Sequence, residues 1–410
     1  MSSPHSETSA RALAALLGAF LAFFCSVGFL NAFGVFQEYY HANQLADRSE
    51  FDISWIGSFA VGFMFATAPV AGVLVDKLGA PILLLCGSIG TLVAVFMTSL
   101  SHEYYQIFLA QGVLLGGSMS FLFCPAVATI SKYFHKNRGL ALGITVGGSS
   151  TGGLVWPIVL DRLLNYHRIG FPWTLRIVGF IMLPLLLIAL LSVQPPQSKS
   201  EPEPETEHPP SEKHKTDISI AKNPTFIILC SGLAICYLGM FSPFFYVTSY
   251  SSALGISTSL SFYMVSIVNA ASLFGRVLPG LLADRYGHFN LCALAALTSG
   301  ITCLCWTAAT STAGVVIWSL AYGFTSGAIM SLQSACAAQI ATHETHGTAV
   351  GFLMGSLALT ALFGTPISGE LVGSYGYLAL SLYSGASLVV GSLLIIWARL
   401  RLNRSLFAPM

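Results

Sequence analysis

Apolar positions run through this chain in long unbroken stretches, without the alternation of a half-buried strand or the narrow stripe of a surface helix. A membrane helix needs about 20 predominantly apolar residues. Windows of that length fall at residues 12–38, 53–75, 82–100, 106–130, 139–160 and 173–193, and again at 224–250, 260–283, 290–309, 314–340, 348–371 and 378–398. The pattern predicts an all-α integral membrane protein of twelve transmembrane helices, numbered here as spans 1 to 12. The first run is too long for the roughly 7 to 15 apolar residues of a signal peptide, so it is expected to remain as span 1.

The pattern breaks once. QPPQSKSEPEPETEHPPSEKHKTDISIAKN holds six prolines and alternating acids, with too little apolar surface to fold alone. It predicts a disordered linker over 194–222 between two six-helix halves, 12–193 and 223–398, with tails at 1–11 and 399–410.

Composition agrees. Of 410 residues 54% are hydrophobic and 9% charged, against about 25% charged in a soluble domain. The bilayer is therefore one partner. The net charge of +1 gives no sign of nucleic-acid binding. Lysines and arginines collect on one side of the predicted topology: thirteen, from Arg11 to Arg404, against Arg48, Arg162 and Arg168 with Arg176 just inside span 6. By the positive-inside rule both termini are cytoplasmic, and a plasma-membrane location is expected. The nine cysteines sit in apolar runs without metal-site spacing. HETH at 343–346 lacks the zinc-protease spacing, and no P-loop occurs, so neither a metal, another cofactor nor ATP-driven export is expected.

The halves repeat. GVLVDKLG, Gly72 to Gly79, returns as GLLADRYG, Gly280 to Gly287, and the same offset of 208 residues carries Gly143 and Gly147 onto Gly351 and Gly355. Repeats of this kind are typical of secondary transporters, with the substrate site between them. In the short loops after spans 2 and 8, Asp76 and Asp284 are placed to cap a helix or to pair with a basic residue across the halves; Lys77 and Arg285 follow them. Gly79 and Gly287 would allow the tight reversal. GLALGITVGGSSTGG, from Gly139, has glycines four apart, a spacing that lets helices approach closely in lipid. Static packing and a moving interface both fit that motif.

These duplicated loops resemble the signature of the major facilitator superfamily, over all twelve spans. KYFHKNRGLALGITVGGSSTGG (Lys132 to Gly153) resembles the span-5 motif of the monocarboxylate porter family, and GFLNAFGVFQEYY (Gly28 to Tyr40) is similar to span 1 of its fungal branch. The resemblance implies alternating access around a cavity lined by spans 1, 4, 7 and 10, with 2, 5, 8 and 11 contributing. It implies substrates such as monocarboxylates, riboflavin or exported secondary metabolites.

Arg276 is the outstanding charge. It lies eight residues before Asp284, about 12 Å from the helix end at 1.5 Å per residue. An arginine near mid-bilayer costs at least about 2.5 to 3.5 kcal/mol, so such a residue faces a cavity or a partner. Asn269 and Ser272 share its helical face, and Val265 and Phe262 extend that face outward. No carboxylate lies at matching depth. A substrate anion fits as partner; so do backbone carbonyls, or Asp76 or Asp284 across the gate. By resemblance, Arg276 matches the span-8 arginine that binds substrate carboxylate in the monocarboxylate porters. Two positions depart from the animal lactate carriers: Ser272 stands where they have an aspartate, and Val35 where they have a lysine. Lactate–proton symport by that route is therefore not carried over, and a bulkier, partly aromatic substrate fits better.

Further candidates for the cavity wall are Asn31 in span 1, Gln111 and Ser118 in span 4, Ser242, Tyr246 and Ser249 in span 7, and Tyr322, Ser326 and Gln333 in span 10. Each could equally join helices together. Pro243 is expected to kink span 7. The sequence thus reads as a secondary transporter of a small organic anion or amphipathic metabolite, moved with or without a coupled proton, and not as an enzyme. A non-transporting receptor for a similar ligand is the alternative.

Overall fold

The computed structural model describes residues 9–134, 138–166, 169–195, 220, 222–340 and 346–402. Among these, no strand occurs. Ten helical segments are long and apolar enough to cross a membrane. One of them, Gly351–Leu402, holds two spans, because the helix His346–Leu402 is broken at Gly376 (φ 76°). The shorter helix His288–Leu304 supplies span 9, which completes twelve. The final helix runs one turn beyond the expected end at 398, and Arg399 is buried there with its Nε 3.1 Å from Asn290 Oδ1. Most of the 194–222 linker, and residues 343–345 of HETH, fall outside the described residues.

Local signals set the helix ends. Span 2, Glu50–Leu78, starts at a capping box in which Ser49 Oγ accepts from the Asp52 amide at 3.1 Å and Asp52 accepts from the Ser49 amide at 3.3 Å. Span 7 starts at Asn223, whose Oδ1 accepts from the Thr225 amide at 2.9 Å. Its two pieces, Pro224–Met240 and Ser242–Ala253, meet at Phe241, just before Pro243. The proline sits in the first turn of the second piece, where its missing N–H breaks no bond. Span 1 is also segmented, as Ala10–Cys25, Val27–Asn31 and Phe33–Tyr39.

Asp76 and Asp284 lie in the last turns of Glu50–Leu78 and Thr258–Tyr286, and not in loops. The helices continue until a glycine with positive φ ends them, so each connection shrinks to Gly79 (φ 83°) or Gly287 (φ 88°). The side chains of Asp76, Asp284 and Arg285 lie outside the described residues. The same backbone recurs at Gly170 (φ 89°) before span 6 and at Gly376 before span 12. Each half is therefore two three-helix units, with a positive-φ glycine before the third helix of every unit.

The halves meet mainly along two helix pairs, spans 2 with 11 and spans 5 with 8, and spans 1 and 7 also touch. They are sealed at the end opposite Lys77 and Arg399. There Phe33 packs on Phe245 with ring centroids 5.0 Å apart, Trp55 packs on Phe363 at 5.7 Å, and Ser259 Oγ donates to Asp161 at 2.7 Å. A methyl group on Gly369 would come within 2.9 Å of Phe51 Cα. Toward the basic end both pairs part. The last close approaches are Gly147 to Leu273, where an added methyl would meet the leucine at 3.1 Å, and Gly355 to Pro69, at 3.9 Å. Gly143, Gly351 and Gly72 lie three or four residues further on the same faces, and Gly280 lies seven residues beyond Leu273. Among the described residues, an added methyl at any of them meets nothing within 4 Å. Among the described residues, the facing helices therefore stand apart at these glycines.

Of the two readings of the glycine motif, static packing is not what Gly143 and Gly351 show in this conformation. In this conformation the backbone contacts of the span-5 motif fall on Gly148 and Gly152, against Phe20, Phe24 and Gly28 of span 1. That face lies within one half.

Candidate functional site

Arg276 lies where spans 5 and 8 begin to part. It is 2% exposed. Its guanidinium donates to the Val146 carbonyl at 3.0 Å and to Ser149 Oγ, both on span 5, and approaches Met330 Sδ of span 10 at 3.0 Å. Every one of these partners is neutral. Among the described residues no carboxylate forms an ion pair with it. Its protein partners thus include a backbone carbonyl, as one sequence-level reading allowed, but one in mid-helix and not at a helix end.

Among the described residues, three polar atoms along this face have no hydrogen-bond partner: Asn269 Oδ1, Ser272 Oγ and Arg276 Nε. All three residues are buried, and their spacing of three and four aligns them on one stripe. Asn269 donates to Val265 of its own helix at 2.9 Å and leaves its acceptor free. A buried unsatisfied group costs about 1 to 3 kcal/mol, so the stripe holds an acceptor, a hydroxyl and a charged donor in an unrelieved state.

Asn31 joins the cluster by donating to the Ser149 carbonyl at 3.3 Å. Gln333, one turn from Met330, accepts from Tyr237 Oη at 2.9 Å. Tyr237 also meets Phe65 of the other half at 5.7 Å and Phe241 at 5.7 Å. Spans 1, 2, 5, 7, 8 and 10 thus converge on a cationic centre walled by aromatic rings.

Three candidates stand elsewhere. Gln111 accepts from Tyr40 at 2.7 Å inside the first half. Tyr322 donates to the Met240 carbonyl at 2.6 Å and stacks on Trp318, which ties helices of the second half. Tyr246 donates to the Thr365 carbonyl at 3.2 Å beside Gly369, at the sealed end. Sequence reasoning missed Ser149, Met330, Phe65 and Tyr237. Ser149 lay inside the glycine motif, and the four-residue spacing of Tyr237, Phe241 and Phe245 marked an aromatic face; nothing in the sequence marked Met330 or Phe65.

Comparison with known proteins agrees with this architecture. The profile of the Major Facilitator Superfamily matches residues 15–332 and 280–406. An MFS-type transporter of Aspergillus fumigatus is 51% identical over 407 residues, covering 97% of this chain and 94% of its own. The agnestins efflux protein of Paecilomyces divaricatus is 51% identical over 404 residues, covering 98% and 90%. The aspyridones efflux protein of Emericella nidulans is 37% identical over 401 residues, covering 97% and 80%. With twelve helices in two repeated halves and a profile match over most of its length, the chain belongs to the Major Facilitator Superfamily, a family of multi-pass membrane transporters.

Proposed function

We propose that this transporter exports a small organic anion or acidic amphipathic secondary metabolite by alternating access, with Arg276 as the anion site. The observation that carries this reading is the stripe of Asn269, Ser272 and Arg276, buried and unsatisfied between the halves. An anionic oxygen at Arg276 adds the attraction of opposite charges to what neutral acceptors give, and a carboxylate can meet the guanidinium through two parallel bonds. Phe65, Tyr237 and Phe241 offer a planar apolar body its contact surface. The efflux proteins among the relatives support export, and the resemblance to monocarboxylate porters supports an anion.

In this mechanism substrate enters from the basic end, which faces the cytoplasm of a plasma-membrane protein. Its anionic group competes with Val146 and Ser149 for the guanidinium and loosens the tie between spans 5 and 8. The sealed end then parts while the basic end closes, bringing Gly72 toward Gly351 and Gly143 toward Gly280. Gly147 and Gly355 are the points about which the pairs close. Asp76, Asp284 and Arg285, next to the reversals at Gly79 and Gly287, hold the closed form.

The test is mass-detected flux in proteoliposomes for a panel of monocarboxylates and acidic fungal metabolites, with and without a pH gradient, in wild type and Arg276→Gln. Loss of flux in the folded variant is expected. Equal flux would make Arg276 a structural residue and remove the anion from the reading. Ligand binding with no flux in wild type would favour a receptor.

A further inference from the structure

A buried amide oxygen stands unpaired beside a carboxyl group at the sealed end. Gln37, at the end of span 1, is fully buried. Its Nε2 donates to Oε2 of the half-buried Glu50, the first residue of span 2, at 3.0 Å. Its Oε1 is out of solvent and has no donor among the described residues. Tyr246 of span 7 lies at the same seam, and its hydroxyl donates to the Thr365 carbonyl at 3.2 Å. The seam closes against Glu50 itself: a methyl on Gly369 of span 11 would stand 3.0 Å from the Glu50 carbonyl and 2.7 Å from Tyr246 Oη. Spans 1, 2, 7 and 11, from both halves, thus meet around one carboxyl group. Further ionisable groups around it are Glu38 and His41, from the end of span 1 and just after it, and Tyr377 at the start of span 12. Asp52, on the same helix, is engaged in the capping box, and Glu370 of span 11 is exposed and accepts from Ser374 at 2.8 Å.

We propose that Gln37 and Glu50 form a proton-binding site, occupied when this end is sealed. A carboxylate only accepts, so it cannot satisfy Gln37 Oε1. A protonated carboxyl accepts from Nε2 through one oxygen and donates to Oε1 through the other, and acid and amide close a ring of two hydrogen bonds. The neutral acid also costs less to bury than the anion. When the end parts, entering water favours the anion, as does the N-terminus of the span-2 helix. Glu38 adds a negative charge beside the site and His41, when protonated, a positive one. The sealed conformation therefore holds the proton more tightly than the parted one, and by linkage acid on this side favours the sealed end. This site rests on the alternating-access reading and not on the anion reading of Arg276.

Two measurements on the full chain in nanodiscs test the proposal. Infrared difference spectra of wild type against Glu50→Gln should show, at neutral pH, a protonated-carboxyl C=O stretch that moves in heavy water and that the variant lacks. Spin labels at this end of spans 2 and 11 should pass from short to longer distances in wild type as pH rises, the ratio changing by up to about tenfold per pH unit, the limit for one proton. Glu50→Gln, whose amide can make both bonds to Gln37, should stay sealed at every pH. Gln37→Met, which lacks the acceptor, should part at lower pH than wild type. Melting curves identify a variant that does not fold; if Glu50→Gln fails, the infrared band should still move between wild type and Gln37→Met. Absence of the band, or a pH response that Glu50→Gln retains, would overturn the proposal. Short distances at every pH in wild type and Gly369→Leu alike would overturn alternating access, whereas the band would still uphold the proton on Glu50.

Discussion

Arg276 and Val146 join the two halves of the protein: the guanidinium on span 8 donates to a mid-helix carbonyl on span 5 at 3.0 Å. The bond lies at the last level where these helices touch. Beyond it, at Gly143 and Gly280, an added methyl meets nothing within 4 Å among the described residues. An arginine held by neutral groups at a point of divergence is well placed to respond to an anion.

Exchange of Arg276 should therefore separate charge from packing. Arg276→Lys keeps a cation but not the planar fork, and is expected to retain weak flux with a raised KM. Arg276→Gln should fall by at least tenfold in kcat/KM, or about 1.4 kcal/mol. Flux assays with a circular-dichroism melt distinguish these results from misfolding.

Gly143→Leu and Gly351→Leu should fold normally, because their side chains enter open space in this conformation. They should nevertheless reduce turnover several-fold by obstructing closure of the basic end. Melting temperature and flux, measured on the same preparations, check both halves of the prediction; a large fall in melting temperature would show that these faces are already packed.

Gly369→Leu acts at the opposite seam. Its side chain would run into Phe51 and Tyr246, so the sealed end cannot close as it does here. Spin labels on spans 2 and 11 at that end should report longer distances than in wild type, and unchanged distances would argue that the seam is loose.

Gly79→Ala and Gly376→Ala test backbone conformation alone. Neither added methyl has a neighbour closer than 3.8 Å, yet φ of 83° and 76° lies in a region that L-residues rarely adopt. Each should destabilise by about 1 to 3 kcal/mol, read as a lower unfolding midpoint in detergent.

Asp76 and Gly79 illustrate how far the motifs were legible. The repeat GVLVDKLG and GLLADRYG identified the two reversals, and positive φ at Gly79 and Gly287 is the geometry that such glycines permit. The loop assigned to Asp76 and Asp284 was not observed, because an aspartate in a last helical turn and one in a short loop give the same sequence pattern. For Asn269, Ser272 and Arg276 the helical period was sufficient, since residues three and four apart on one helix must share a face. It did not suffice for Gln111, Tyr246 and Tyr322, whose hydroxyls and amide bond to neighbouring helices.

By itself the sequence determined the number of helices, their division into two repeated halves and the stripe that carries the buried arginine. Those features follow from apolar length, from internal repetition and from the 3.6-residue period, all of which are local. Tertiary structure alone decided that Ser149 and Met330 meet Arg276, that each half is itself a pair of three-helix units, and that the facing helices stand apart at Gly143 and Gly351. These depend on how distant helices are paired. In lipid, where many apolar faces are interchangeable, pairing is settled by backbone approach at small residues such as Gly148 and Gly152, and a one-dimensional pattern does not say which partner will fill the space.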